Sequence, residues 1–93
     1  MLDLLNKKPE ILKLATKHGA FNIRIFGSTA RGTQTPRSDV DILVSMKPGR
    51  TFFDLVSLWQ DLEELLGKKV DVVSENGLSP FLKDQILAEA KPL

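Results

Sequence analysis

Residues 21–46 read FNIRIFGSTARGTQTPRSDVDILVSM, and the fold turns on how this stretch is divided. Phe21 to Phe26 alternates, with Phe21, Ile23 and Ile25 on one side, as a half-buried strand does. Gly27 and Ser28 break that pattern and open a short helix. In Val40 to Met46, by contrast, Ile42, Leu43 and Val44 form an unbroken apolar run, which predicts a strand covered on both faces. Asp39 and Asp41 flank Val40 at the mouth of this buried strand.

Working outward, Pro9 suits a first helical turn, Ile11, Leu12, Leu14 and Ala15 make an apolar stripe, and Gly19 closes a helix that extends back towards Leu2. Thr51 and Asp54 stand at capping-box spacing, with Asp in place of the usual Glu. Phe52, Leu55, Val56, Leu58, Trp59, Leu62, Leu65 and Leu66 then recur at helical intervals up to Gly67. Val70 to Val73 is a short third strand. Ser79 and Pro80 open a last helix through Phe81, Leu82, Ile86, Leu87 and Ala90. Strands alternating with helices predict an α/β fold, a small mixed sheet of about three strands with four helices.

The 93 residues suffice for one core, so residues 1–93 are read as a single domain. A net charge of +1 gives no field for general capture of nucleic acid or an anionic membrane, so phosphate binding has to come from local geometry. Cysteine is absent, which removes disulfides and thiolate chemistry. No run approaches the roughly 18 apolar residues of a membrane span, and a cytoplasmic location is expected. His18, before Gly19, is expected to face the terminal carbonyls of its helix and is given no chemistry.

Side chains two apart on a strand share a face, about 6.5 to 7 Å apart, so Asp39 and Asp41 point together while Val40 packs behind them. Asp71, between Val70 and Val72, repeats the pattern, and if the two strands are neighbours three carboxylates converge. Two unit charges about 6 Å apart repel by roughly 3 kcal/mol at an effective dielectric near 20. A proton would relieve this, and a hard divalent cation such as Mg²⁺ or Mn²⁺ would do it better, taking substrate phosphates as further ligands. The turn supplies the other half. Gly27 permits close approach, backbone N–H groups and the Ser28 hydroxyl can receive a phosphate, and Arg31 lies one turn along. Each signal alone has an ordinary explanation: a Gly-Ser pair ends many strands, Asp39 can cap a turn, Asp41 can pair with Arg24 or Arg37, and Arg31 can be a surface charge. The conjunction carries the inference.

Gly27-Ser28, then ten residues, then Asp39-Val40-Asp41, with a later acid in Val70-Asp71-Val72, resembles the nucleotidyltransferase superfamily that includes DNA polymerase beta. Within it, GSTARG followed by SDVD is similar to the minimal nucleotidyltransferases, or MNT proteins, over nearly the whole chain. The resemblance implies a polymerase beta palm-like fold, Gly27 and Ser28 on the nucleotide phosphates, Asp39 and Asp41 on two Mg²⁺ ions, and Asp71 helping to activate the attacking hydroxyl. Thr29 is a departure, since many relatives carry arginine there, which implies one cation fewer beside the phosphates.

Minimal members commonly act beside a helical HEPN toxin. The resemblance therefore implies an antitoxin that transfers AMP from ATP to a tyrosine of that partner. This chain contains no tyrosine and cannot carry such a mark itself. Larger members append acceptor-binding domains, so the acceptor site is expected to be borrowed, in a hetero-oligomer or a homodimer. Two alternatives stand beside this reading: an antitoxin that acts by contact alone, and a transferase for a small hydroxylated molecule. The base of the nucleotide is not written in the sequence.

Overall fold

The structure, a computed structural model, describes residues 2–32 and 39–93. Arg37, considered above as a partner of Asp41, lies outside the described residues. The chain runs α1 (Leu2–Asn6), α2 (Lys8–Lys17), β1 (Ala20–Ile25), α3 (Gly27–Arg31), β2 (Val40–Met46), α4 (Phe52–Leu66) and β3 (Val70–Ser74). A 3₁₀ turn (Glu75–Gly77), α5 (Pro80–Glu89) and β4 (Lys91–Pro92) complete it. The sheet order is β3-β2-β1-β4. β1 pairs antiparallel with β2 and with β4, whereas β2 and β3 run parallel and are joined by the α4 crossover. The mixed α/β sheet expected from the sequence is present, with a fourth short strand and one more helix.

The first helix is two. Pro9 has no N–H to return to the preceding turn, and the chain is interrupted at Lys7 before α2 begins. In β1 the pairing with β2 shifts between Phe21 and Arg24, where Asn22 has a φ of 53°. Asparagine tolerates that conformation better than most residues, and the irregularity rotates what precedes it. Phe21 is therefore exposed, while Ile23 and Ile25 are buried; the shared face expected for all three holds only for the last two.

Val40, Ile42 and Val44 of β2 join Val70 and Val72 of β3 on one face. Ile11 and Ala15 of α2 and Leu55, Leu58 and Leu62 of α4 cover that face and make the core. The capping box of α4 is formed: the Thr51 N–H donates to the Asp54 carboxylate at 2.8 Å. Those bonds and the nearby Arg50 hold the Asp54 carboxyl below its ordinary range. His18 does not point at carbonyls as expected. Its Nε2 lies 2.6 Å from the Asp61 carboxylate, tying the end of α2 to α4.

Side chains of α4 also close the outer rim of β3. The Val70 N–H donates to Glu63 at 3.0 Å, and the Trp59 indole N–H donates to the Val70 carbonyl. Trp59 is thus half-buried, whereas Phe52 and Phe53 at the start of α4 stand in solvent. The apolar stripe read in the last helix is not core: α5 buries no residue fully, and Phe81 is 93% exposed. Among the described residues no helix is long and apolar enough to cross a membrane.

Leu58 is fully buried at the centre of the α4 contact. Leu58→Ala is expected to cost about 2–5 kcal/mol of stability, read from the midpoint of a urea unfolding curve.

Candidate active site

β2 and β3 place Asp41 directly beside Asp71 as register partners. Because Val40 and Val70 face the core, both carboxylates leave the sheet on its other side. Asp39 precedes β2, exposed at its mouth. The Asp41 carboxyl is pushed above its ordinary range, first by burial, then by the charges of Asp71 and Asp39. Arg31 and a hydrogen bond from the Ser28 backbone N–H pull it back. Asp41 and Asp71 therefore stand side by side, and Asp39 is near enough to oppose the Asp41 charge.

The Gly27 turn is built onto the same acid. β1 ends at Ile25, the partner of Ile42, and the chain then turns into α3. Three groups of that turn reach Asp41. The Phe26 N–H donates to the Asp41 carbonyl at 3.2 Å, the Ser28 N–H to its carboxylate, and the Asp41 N–H donates to Thr29 Oγ1 at 3.0 Å. Gly27 has a φ of 59°, and a Cβ there would stand 2.5 Å from Asp41 Oδ2. Only glycine lets the backbone turn this tightly against the carboxylate.

Two readings of single residues change. Thr29, expected to mark a cation missing from the phosphate side, is fully buried and faces the interior, where it meets the Asp41 backbone. Arg24, weighed as a partner for Asp41, is committed elsewhere: its Nη2 donates to Ser45 Oγ at 3.3 Å and to Glu75 at 3.4 Å. Arg31 is half-exposed, close enough to act on the Asp41 charge, and its Nη1 donates to Glu89 of α5 at 3.0 Å. An open cleft of about 560 Å³ lies at the far end of β2, lined by Met46, Lys47, Arg50, Phe52 and Gly77, away from all six candidate residues.

Residues 8–93 match the nucleotidyltransferase domain family. The chain belongs to that family. It is 49% identical over 83 residues to a Methanocaldococcus jannaschii protein named provisionally as a protein adenylyltransferase, covering 89% of each chain. A solved structure named provisionally as a minimal nucleotidyltransferase superposes with a TM-score of 0.88 at 48% identity, over 97% of this chain and 92% of that one. A toxin-antitoxin structure with AMP-PNP matches at a TM-score of 0.78 and 30% identity, over 91% of this chain and 70% of that one. A structure of tri-AMPylated Shewanella oneidensis HEPN toxin in complex with MNT antitoxin matches at 0.71 and 26%, over 97% and 70%.

In this nucleotidyltransferase the carboxylates of Asp41, Asp71 and Asp39 offer oxygen ligands, and the two neighbouring acids act on Asp41 more strongly than Arg31 does, which suits a hard divalent cation. Among the described residues no three acidic or imidazole side chains draw together closely enough to hold an ion unaided. Magnesium sites of this class commonly take one or two carboxylates and are completed by water and substrate phosphates.

The raised Asp41 carboxyl sets the sign of a pH effect. Its folded-state value lies above the unfolded 3.8, so its favourable contribution is present below 3.8 and is lost as pH rises through the raised value. Asp41→Asn, which cannot ionise, is expected to melt above the wild type at pH 7 in chelator. The gap should close as the pH approaches 3.8, as scanning calorimetry can follow. Gly27→Ala, which strains the turn and crowds the Asp41 carboxylate, is expected to lower the melting temperature while leaving a folded chain, checked by circular dichroism.

Proposed function

We propose that this chain is a Mg²⁺-dependent protein adenylyltransferase and antitoxin that moves AMP from ATP to a tyrosine hydroxyl of a partner HEPN toxin. The observation that carries the reading is the register pairing of Asp41 with Asp71, with the Gly27-Ser28 turn bonded directly to Asp41. The adenylyltransferase relative and the AMPylated HEPN complex support AMP as the group moved and a HEPN protein as the acceptor. The AMP-PNP complex supports a nucleoside triphosphate as donor.

The residues divide the work as follows. The Gly27-Ser28 turn, at the start of α3, offers the phosphates the Ser28 hydroxyl and those backbone N–H groups that Asp41 does not take. Arg31 adds a positive charge on the same side. Asp39 and Asp41, joined by Asp71, would hold Mg²⁺, which when bound neutralises phosphate charge and orients the reacting groups. Asp71 lies beside Asp41 on the same face, and in this reading it accepts the proton of the incoming hydroxyl. The hydroxyl oxygen attacks the α-phosphorus, the bond to the β-phosphate breaks, and pyrophosphate leaves with the electron pair. Since the chain has no tyrosine, the acceptor comes from another molecule.

Labelled ATP with Mg²⁺ and the neighbouring HEPN protein is expected to put label on that partner alone. Asp71→Asn should reduce the rate by at least about 100-fold with folding intact. Full toxin neutralisation in cells by Asp39→Asn would count against enzymatic silencing and assign the effect to contact.

A further inference from the structure

The antiparallel pairing of β1 with β2 stops one residue short of Asp41. Ile25 pairs with Ile42, and the next residue, Phe26, still donates its N–H to the Asp41 carbonyl, but its own carbonyl accepts instead from the Ala30 N–H as α3 begins. A backbone donor left without a partner in a partly buried position is unfavourable, and such donors are nearly always satisfied. Here a side chain does so. The Thr29 hydroxyl oxygen accepts from Asp41 N at 3.0 Å, in the place the next strand carbonyl would have held. Among the described residues Thr29 is the fully buried polar side chain, with no exposed surface. It follows Ser28 directly in α3, so one rigid turn carries both the phosphate-facing groups and the acceptor that fixes Asp41.

We propose that Thr29 is a positioning residue of the transfer reaction: its hydroxyl locks the Asp41 backbone to the Gly27-Ser28 turn, holding carboxylate and phosphate cradle at one spacing. The inference rests on the adenylyltransferase reading above. It assigns the buried hydroxyl a role the sequence did not suggest. Thr29 touches neither substrate nor ion. It acts through Asp41, so its loss is expected in turnover more than in nucleotide binding, because the turn itself can still hold the phosphates.

The test compares Thr29→Val, which keeps the volume and loses the acceptor, with Thr29→Ser, which keeps the acceptor and loses a methyl group. For the full chain with its HEPN partner, Thr29→Val is expected to lower kcat about 10- to 100-fold, as displacements near 1 Å do. KM for ATP should stay within about threefold, and Thr29→Ser should keep kcat within about threefold of wild type even where its Tm falls. Turnover would then follow the hydroxyl and not the melting temperature. Unchanged kcat in Thr29→Val, or losses in both variants that track Tm, overturns the proposal. If the wild type transfers no label, the reading of the function fails, and the lock is judged by amide hydrogen exchange at Asp41. Faster exchange in Thr29→Val than in Thr29→Ser and wild type supports it; equal rates overturn it.

Discussion

The structure is organised around one carboxylate that is gripped before any ligand arrives. Asp41 has its carbonyl, its amide and its side chain all bonded to residues 26–29. Burial and two neighbouring acids oppose its charge, while the Ser28 amide and Arg31 favour it. These influences act in opposite directions on a group bonded to the turn through its carbonyl, its amide and its side chain. A charged group fixed in advance in this way has little rearrangement to make when a ligand binds.

The rest of the fold keeps that point in place. One sheet face is packed by α2 and α4, leaving the acids on the other. The parallel pairing of β2 and β3 brings Asp71 level with Asp41, and the α4 crossover is what permits that pairing. The His18–Asp61 contact and the Arg24–Ser45–Glu75 cluster fasten helix to helix and strand to strand at a distance from the acids. Stability and chemistry thus occupy different residues, as is usual where function is carried by a site on a common scaffold.

Much of this was legible in the residues. β2 was bounded correctly because its apolar run is flanked by acids and turn chemistry, and α4 because period, capping box and Gly67 agree. β4 was not legible: Lys91 and Pro92 have little strand propensity and are held there by pairing with Arg24 and Ile25. Phe21 was misplaced because a shift in pairing near Asn22 defeats simple alternation. In the candidate site, the repeated Val-Asp-Val pattern anticipated that Asp41 and Asp71 share a sheet face, and their register pairing agrees with it. The role of Thr29 was hidden, because a buried hydroxyl meeting an amide twelve residues away leaves no pattern along the chain. The same holds for His18, whose partner is forty-three residues distant.

The two rims of the sheet carry a further meaning. On one side the outward amide and carbonyl of Val70 are occupied by Glu63 and Trp59, and on the other the border strand has two residues, one of them a proline. A sheet finished in this way offers little template for a foreign strand to dock in ladder fashion, the route by which exposed borders seed fibrils. The domain can therefore meet other proteins through side chains and helices without its backbone being recruited into a growing aggregate.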